Sequence, residues 1–237
     1  MKRPLKWALG AAGAVLFAIV VNQIFPLVWY SPKIEASVST PDGKPVAGAI
    51  VVVSWNIEGP WNGASLGQMS VAETVTDANG KFQIPAWGPR FNYRGSIPID
   101  EPTVRIFKSG FAPLTIQNYE DVPMQAASRI IVFRLQNQNI VLTPFSGTMA
   151  EYEISLHQFQ DDLRKFDIVQ SDVENGCYWK QTPRLLLALE DVKLKMALQG
   201  GGQSLRLAYR IPPTSSASPC GSEQEFFQDY VNHHQKP

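Results

Sequence analysis

The longest apolar run of the chain lies near its N-terminus. Residues 7–30 contain only two strongly polar side chains, Asn22 and Gln23, and no acidic residue occurs before Glu35. About 20 apolar residues in a helix suffice to cross a bilayer, and a basic flank favours the cytoplasmic side. The pattern predicts a cytoplasmic stub and an uncleaved transmembrane signal anchor over residues 1–30; the alternative is a buried core helix. The rest of the chain is then extracytoplasmic, which means periplasmic in a Gram-negative bacterium.

Short alternating segments separated by turn residues follow from Ile34 to about Leu135. The sharpest signal is the turn Asp77-Ala-Asn-Gly80 between two alternating runs, since Asn-Gly tolerates the positive φ of a tight hairpin. About seven strands in about 100 residues are typical of a β-sandwich. The predicted strands lie at 34–39, 46–55, 71–76, 81–84, within 103–116 on either side of Gly110, and at 129–135, with long loops at 58–70 and 87–101.

The turn residues of this part resemble the carboxypeptidase regulatory-like domain, a transthyretin-like (prealbumin-like) sandwich. The resemblance covers residues 34–135 and is carried by Asp42, Gly43, Pro45, Val46, Gly48, Ala49, Val51, Thr76, Asp77, Gly80, Phe82, Gly110, Phe111 and Pro113. It implies a mainly β fold with a seven-stranded sandwich over 34–136. It also implies an accessory, non-catalytic module of the kind found on secreted and cell-envelope proteins.

The period of the apolar pattern changes in the C-terminal segment, 146–237. A stripe at spacings of three and four predicts a helix from Ala150 to about Val169, and packing on the sandwich is favoured over a coiled-coil dimer. Thr182 before Pro183 predicts the start of a second helix. A capping box predicts a last short helix near the end of the chain. The stripe consists of Met149, Tyr152, Leu156, Phe159, Leu163 and Phe166, and the box of Ser222 and Glu225.

Cys177 and Cys220 are the only two cysteines. In an extracytoplasmic protein, two cysteines most simply form a disulfide, which here closes a loop around the second predicted helix. The alternative is a pair of buried free thiols.

Charge and histidine content restrict the chemistry. The 21 basic residues balance the 21 acidic ones, but removing Lys2, Arg3 and Lys6 leaves 18 basic residues from position 31 onward. A slightly acidic body without a basic cluster does not predict a nucleic-acid partner.

The three histidines, His157, His233 and His234, predict neither a metal site nor a catalytic constellation, and no cofactor is predicted. Two families on related sandwiches, the hydroxyisourate hydrolases and the intradiol dioxygenases, use histidines that residues 1–150 do not contain.

Aromatic residues in and beside the two long loops are the remaining candidates for function. Trp55, Trp61, Trp87 and Tyr93 can form a stacking platform for a glycan or a protein, or they can cap the open end of the sandwich core. The sequence therefore predicts a membrane-anchored, non-enzymatic binding or scaffolding protein with a protein or glycan partner in the cell envelope. The alternatives are an accessory subunit that docks on a membrane complex through its C-terminal helices, and a histidine-independent glycan-processing enzyme.

Overall fold

A computed structural model describes most of the chain. The described residues are Gly13, 28–59, 63–93, 95–98, 100–118, 133–164, 177–200 and 221–234. The strands are β1 Val28–Ser31, β2 Ile34–Ser39, β3 Ile50–Glu58, β4 Ser65–Val75, β5 Lys81–Ile84, β6 Trp87–Phe91, β7 Thr103–Phe107, β8 Leu114–Ile116 and β9 Asn139–Val141. The helices are α1 Met149–Arg164, a short 3₁₀ helix Tyr178–Gln181, α2 Pro183–Leu198 and α3 Glu223–His234.

The nine described strands form three sheets. Antiparallel pairing gives the four-stranded sheet β4-β3-β7-β8. In the three-stranded sheet β5-β2-β9, strand β9 runs parallel to β2. Strands β1 and β6 form a separate antiparallel pair, which we call the ribbon.

The main core lies between the four-stranded and three-stranded sheets. Alternate residues of each strand point into it, as the period of two in a pleated strand requires. The core includes Val51, Val53 and Trp55 from β3, Ile34, Ala36 and Val38 from β2, Phe82 and Ile84 from β5, Val104 and Ile106 from β7, and Ile140 from β9.

A second core lies on the opposite face of the four-stranded sheet, which helices α1 and α2 cover. Val52, Val71 and Phe107 of the sheet pack there against a set of buried helical residues. The set consists of Leu156, Phe159 and Leu163 from α1 and Leu185, Leu189, Val192 and Met196 from α2. The described part of the chain thus has three layers: sheet, sheet and helices.

The predicted transmembrane helix is contradicted at its C-terminal end, residues 28–30. Val28, Trp29 and Tyr30 belong to strand β1, and Trp29 is buried in the main core instead of lying at a lipid interface. Among the residues described, no helix has both the length and the apolar character that membrane crossing requires. Residues 1–27, apart from Gly13, lie outside the described residues. The predicted membrane partner, single-pass topology and extracytoplasmic location depended on that span and lose their support.

Several predicted boundaries also change. Residues 65–70, predicted as loop, extend β4, and residues 87–91, also predicted as loop, form β6. Of the strand predicted at 129–135, Phe133 is buried and 134–137 form a turn, while 129–132 and the loop residue Trp61 lie outside the described residues.

The cysteines are described only in part. Cys177 is disulfide-bonded. Cys220 lies outside the described residues, so its pairing with Cys177 stays a prediction.

Helix α2 begins with a cap from the sheet. Thr182 occupies the N-cap position, but its side chain makes no capping hydrogen bond. Instead, the backbone N–H of Arg184 donates to Glu73 Oε2 at 3.0 Å, and that of Leu185 donates to Oε1 at 2.8 Å. Burial raises the pKa of Glu73, while these two N–H groups act in the opposite direction. One carboxylate on β4 thus satisfies two of the free N–H groups at the start of α2.

Replacing Glu73 with alanine should therefore loosen the helical layer. We expect Glu73→Ala to lower the free energy of unfolding by about 2 kcal/mol, because two N–H groups lose a charged acceptor. Asp191→Ala is the matched control, since Asp191 is exposed on α2 and its partner among the described residues is Lys195; its effect should stay within about 0.5 kcal/mol. Urea unfolding measures both, and equal losses in the two variants would contradict the cap.

Gly80 ends the turn that joins β4 to β5, and its site has no room for a side chain. Its φ is +72°, and a Cβ would lie closer than 3.0 Å to the backbone carbonyl of Val38. Gly43 has a similar φ of +80°, but a Cβ there would meet nothing within 4 Å.

Comparing alanine variants of these two glycines separates the cost of a positive φ, which both share, from the cost of a steric clash, which only Gly80 has. Gly43→Ala should cost about 1–2 kcal/mol, the usual penalty of left-handed backbone. Gly80→Ala should cost clearly more, because the Val38 carbonyl belongs to the ladder and cannot move cheaply. Thermal unfolding of both variants tests this, and similar melting temperatures would show that the close approach is unimportant.

Candidate functional site

The structure separates the four predicted aromatic residues. Trp55 is 0% exposed and sits in the main core, where its ring meets that of Trp87 edge-on at 5.3 Å between centroids. Trp87 packs partly buried against the same core, with the Arg90 guanidinium 5.3 Å from its ring centre. These two tryptophans therefore cap the core, while Tyr93 is 77% exposed.

Tyr93 belongs to an exposed apolar surface that the sequence did not predict. Its ring lies 6.3 Å from that of Phe91, which is 67% exposed at the end of β6. Val28 pairs with Phe91 across the ribbon, and Val28 and Tyr30 point outward on the same face of β1. We call the surface formed by Val28, Tyr30, Phe91 and Tyr93 the aromatic surface.

The ribbon is fixed to the sandwich from its other face. Trp29 is buried in the main core between the exposed Val28 and Tyr30. The Arg90 guanidinium donates a hydrogen bond to the backbone carbonyl of Met69 on β4. Val28, Tyr30 and Phe91 are therefore carried on two strands whose opposite side is fixed to the sandwich.

A polar row crosses the helix-covered face of the four-stranded sheet. Arg105 is only 2% exposed; its Nη1 donates to Ser54 Oγ at 3.0 Å and its Nη2 to the carbonyl of Asp162 on α1 at 3.4 Å. Ser54 pairs with Thr103 in the ladder between β3 and β7. A buried guanidinium is tolerated here because several of its donors have acceptors.

The row continues to Glu101, which is 4% exposed just before β7. Its Oε2 accepts the backbone N–H of Thr103 at 2.9 Å, and its Oε1 accepts the Thr103 hydroxyl at 3.1 Å and the side-chain amide of Asn56. The Gln68 amide donates to Asn56 Oδ1 at 3.2 Å. Burial raises the pKa of Glu101 to about 7, against the lowering effect of these donors. The local signal in the sequence for this residue is the placement of an acid two residues before the strand-forming run 103–107.

A groove of about 600 Å³ opens on another side of the sandwich, with Glu35 and Asp77 among its lining residues. Both acids are already bonded. Glu35 pairs with Lys33 at 2.8 Å, and Asp77 Oδ1 accepts the backbone N–H groups of Asn79 and Lys81 at 2.8 and 2.9 Å. Asp77 holds its own turn and Glu35 is paired with Lys33, so these two carboxylates do not support the glycan-processing alternative.

Metal-binding groups are sparse in the described part of the chain. It contains no cluster of three or more His, Cys, Asp or Glu side chains placed to hold a metal ion. His157 lies on α1, and His233 lies on α3, where its Nδ1 contacts Asp229.

Comparison with known proteins gives only distant likenesses. No protein-family model matches the chain, and no curated protein sequence matches it. The solved structures that resemble it include 3-chlorocatechol 1,2-dioxygenase from Rhodococcus opacus 1CP, with TM-score 0.31 and 15% identity over 50% of this chain and 62% of that one.

Two further dioxygenases show the same level of likeness. Chlorocatechol 1,2-dioxygenase from Pseudomonas putida has TM-score 0.28 and 16% identity over 50% of this chain and 61% of that one. Catechol 1,2-dioxygenase from Pseudomonas arvilla C-1 has TM-score 0.28 and 18% identity over 53% and 55%. The chain spans less than two thirds of each, and likeness at this level carries no activity over to it.

Gly88 is the position on which the ribbon depends. It has φ +107°, and a Cβ there would lie 2.6 Å from Tyr30 Cβ and 2.7 Å from the Trp29 carbonyl oxygen. Gly88→Ala should separate β1 from β6 and raise amide hydrogen exchange in residues 28–31 at least tenfold. Gly63→Ala is the control, since its φ is also positive at +62° but its nearest neighbour is 3.9 Å away. Unchanged protection of β1 in Gly88→Ala would show that the pairing tolerates a side chain.

Proposed function

We propose that this chain is a recognition module that binds another protein through its aromatic surface. The observation that carries the proposal is the exposed ring pair of Phe91 and Tyr93 beside Tyr30 and Val28. Large apolar side chains grouped on one exposed face are typical of interaction sites, and tyrosine is enriched at the residues that dominate binding energy. The membrane-anchored scaffold, the docking subunit and the glycan enzyme predicted from the sequence are not part of this proposal.

A protein partner suits the surface better than a glycan. Sugar sites combine an aromatic face with several polar groups that are placed to fix the ligand. Two described polar side chains beside the surface, those of Arg90 and Asn92, are bonded within the chain. Arg90 binds the Met69 carbonyl, and the Asn92 amide donates to the Gly95 carbonyl at 3.3 Å. What the surface offers a partner is chiefly apolar area.

We also propose that residues 34–135 belong to the carboxypeptidase regulatory-like family. Support comes from the geometry of the motif residues. Gly43, Gly48, Gly80 and Gly110 all have φ between +70° and +82°, where glycine is favoured. Thr76 Oγ1 donates to the Val46 carbonyl at 2.6 Å and accepts the Ala49 N–H at 2.8 Å, so the two motif segments hold each other. Membership of this family would account for the sandwich of residues 34–135. It would not account for the aromatic surface.

A site-specific crosslinking experiment tests the binding proposal. A photoreactive phenylalanine replaces Phe91 in one variant and Leu198 in another, since Leu198 is also exposed but lies at the end of α2. We expect one protein to crosslink at position 91 and not at position 198. The same proteins at both positions would overturn the proposal.

Binding of the identified partner to purified protein then gives the energetic test. Phe91→Ser with Tyr93→Ser should weaken binding at least tenfold, because each side chain that dominates an interface contributes more than about 1 kcal/mol. Leu198→Ser should leave the affinity unchanged. If the double variant binds as tightly as the native protein, the exposed rings have no role in binding.

A further inference from the structure

Strand β4 is one edge of the four-stranded sheet. It pairs with β3, and no other described strand pairs with its opposite side. The N–H of Thr76 donates to the Ala49 carbonyl at 2.9 Å, which sets the phase of the ladder. Alternate residues of an antiparallel strand turn both backbone groups towards the partner, and the residues between them turn theirs away. Ala72 and Thr74 therefore bond to β3. The outward backbone groups, which we call the open edge, are those of Val71, Glu73 and Val75.

The open edge has no hydrogen-bond partner in the described part of the chain. None of its N–H or carbonyl groups takes part in a bond to another backbone or side chain there. Glu73 caps α2 with its side chain only. Further back along the strand, the Met69 carbonyl binds the Arg90 guanidinium of the ribbon. The ribbon thus closes the edge at Met69 and leaves it unpaired from Val71 to Val75.

Strand β4 also lacks the features that usually protect a sheet edge from another strand, namely short length, proline and lysine. It has 11 residues, and neither proline nor lysine occurs among them. The carboxylate of its one acid, Glu73, is bonded to the start of α2. By contrast, β8 and β9 have three residues each, and β8 directly follows Pro113. The free edge of β5 is four residues long and begins with Lys81.

The groove of about 600 Å³ adjoins one end of the open edge. Thr74 and Val75 line it from β4, and Lys81, Phe82 and Gln83 line it from β5. These two strands are the ends of different sheets, so the groove follows the side of the sandwich on which both sheets end. An added strand lies about 5 Å from its neighbour. The groove gives it that space beside Val75.

The spacing of the open edge selects the class of ligand. Its N–H and carbonyl groups recur at every second residue, which is a repeat of about 6.8 Å along an antiparallel strand. An extended peptide carries acceptors and donors at the same repeat, whereas sugars and nucleic acids have no such row of amide groups. The flanking side chains of Ala72, Thr74 and Val75 are small or β-branched. They suit threonine and valine in the added strand.

We propose that the open edge binds an extended peptide rich in β-branched residues, which joins the four-stranded sheet as a fifth strand beside β4. Main-chain hydrogen bonds supply the affinity in this mode of recognition. The site is separate from the aromatic surface and does not depend on whether that surface binds a partner.

Amide exchange with water, followed by NMR on the intact chain, tests the proposal. The probe is a capped heptapeptide that alternates threonine and valine and is N-methylated at its second, fourth and sixth residues, so that one edge can pair. At about 1 mM probe, exchange of the Val71, Glu73 and Val75 amides should slow at least about fivefold, the factor for a Kd of about 0.25 mM. The amides of Ala72 and Thr74, which already bond to β3, are the internal reference and should not change.

A second peptide of the same composition is the control. It carries its three methyl groups on the third, fourth and fifth residues, which blocks both of its edges, and it should leave exchange unchanged. Equal effects of the two peptides, or no effect of the first, would overturn the proposal. So would slow exchange of Val71, Glu73 and Val75 without any probe, because the chain itself or a second copy would then cover the edge.

A proline variant locates the contact on the protein. Val75→Pro removes a donor of the open edge without removing a bond to β3, and it should weaken binding of the first peptide at least about fivefold. Val141→Pro is the matched control, since Leu142 donates to Ser39 and the Val141 N–H therefore points away from β2; it should bind the peptide normally. Undiminished binding by Val75→Pro would contradict the site. If Val75→Pro does not fold, the comparison of the two peptides on native protein decides.

Discussion

Strand β3 is buried on both faces, and the remaining layers follow from this constraint. Val51, Val52 and Val53 are consecutive and fully buried, although successive side chains of a strand point in opposite directions. A run of this kind needs apolar cover on two sides, which a two-sheet sandwich alone does not supply. The three-stranded sheet covers Val51 and Val53, while α1 and α2 cover Val52. The C-terminal helices are therefore part of the framework, since without them one face of the central strand meets water.

The helix-covered face also explains why polar groups lie inside the molecule. Its apolar end, with Val52 and Phe107, meets the helical core directly. Towards the other end of the sheet the face carries Ser54 and Asn56 from β3, in a row with Thr103 and Arg105 of β7. Burial of such groups costs free energy unless they have partners, and the hydrogen bonds within the row and to the carbonyl of Asp162 supply several of them. Glu101 is the terminal member of the row; its carboxylate accepts hydrogen bonds from Asn56 and Thr103, and no basic side chain of the described residues forms an ion pair with it.

The sequence predicted the elements that depend on interactions between residues close together in the chain. The turn from Asp77 to Gly80 and the stripe of α1 depend on neighbours in the chain, so the sequence reveals them. Strand β1 was missed because its residues continue the preceding apolar run. Trp29 is buried in the core and Tyr30 belongs to the aromatic surface, but the sequence alone does not separate them from that run. Thr182 was predicted as a cap by local pattern, but Glu73, more than 100 residues earlier, caps the helix instead. Contacts between distant residues also determine β9, which pairs with β2, and the site of Glu101.

For the proposed binding function, the position of Phe91 on a strand is an advantage. Exposed rings on a mobile loop lose conformational entropy when they bind, which offsets much of the contact energy. Phe91 lies instead at the end of a strand whose first residue, Trp87, contacts the fully buried Trp55 of β3. The strand is thus held by the same doubly buried element that organises both cores. In the proposed complex a partner meets the ring of Phe91 on a backbone that β6 already positions, so less conformational entropy is lost there on binding.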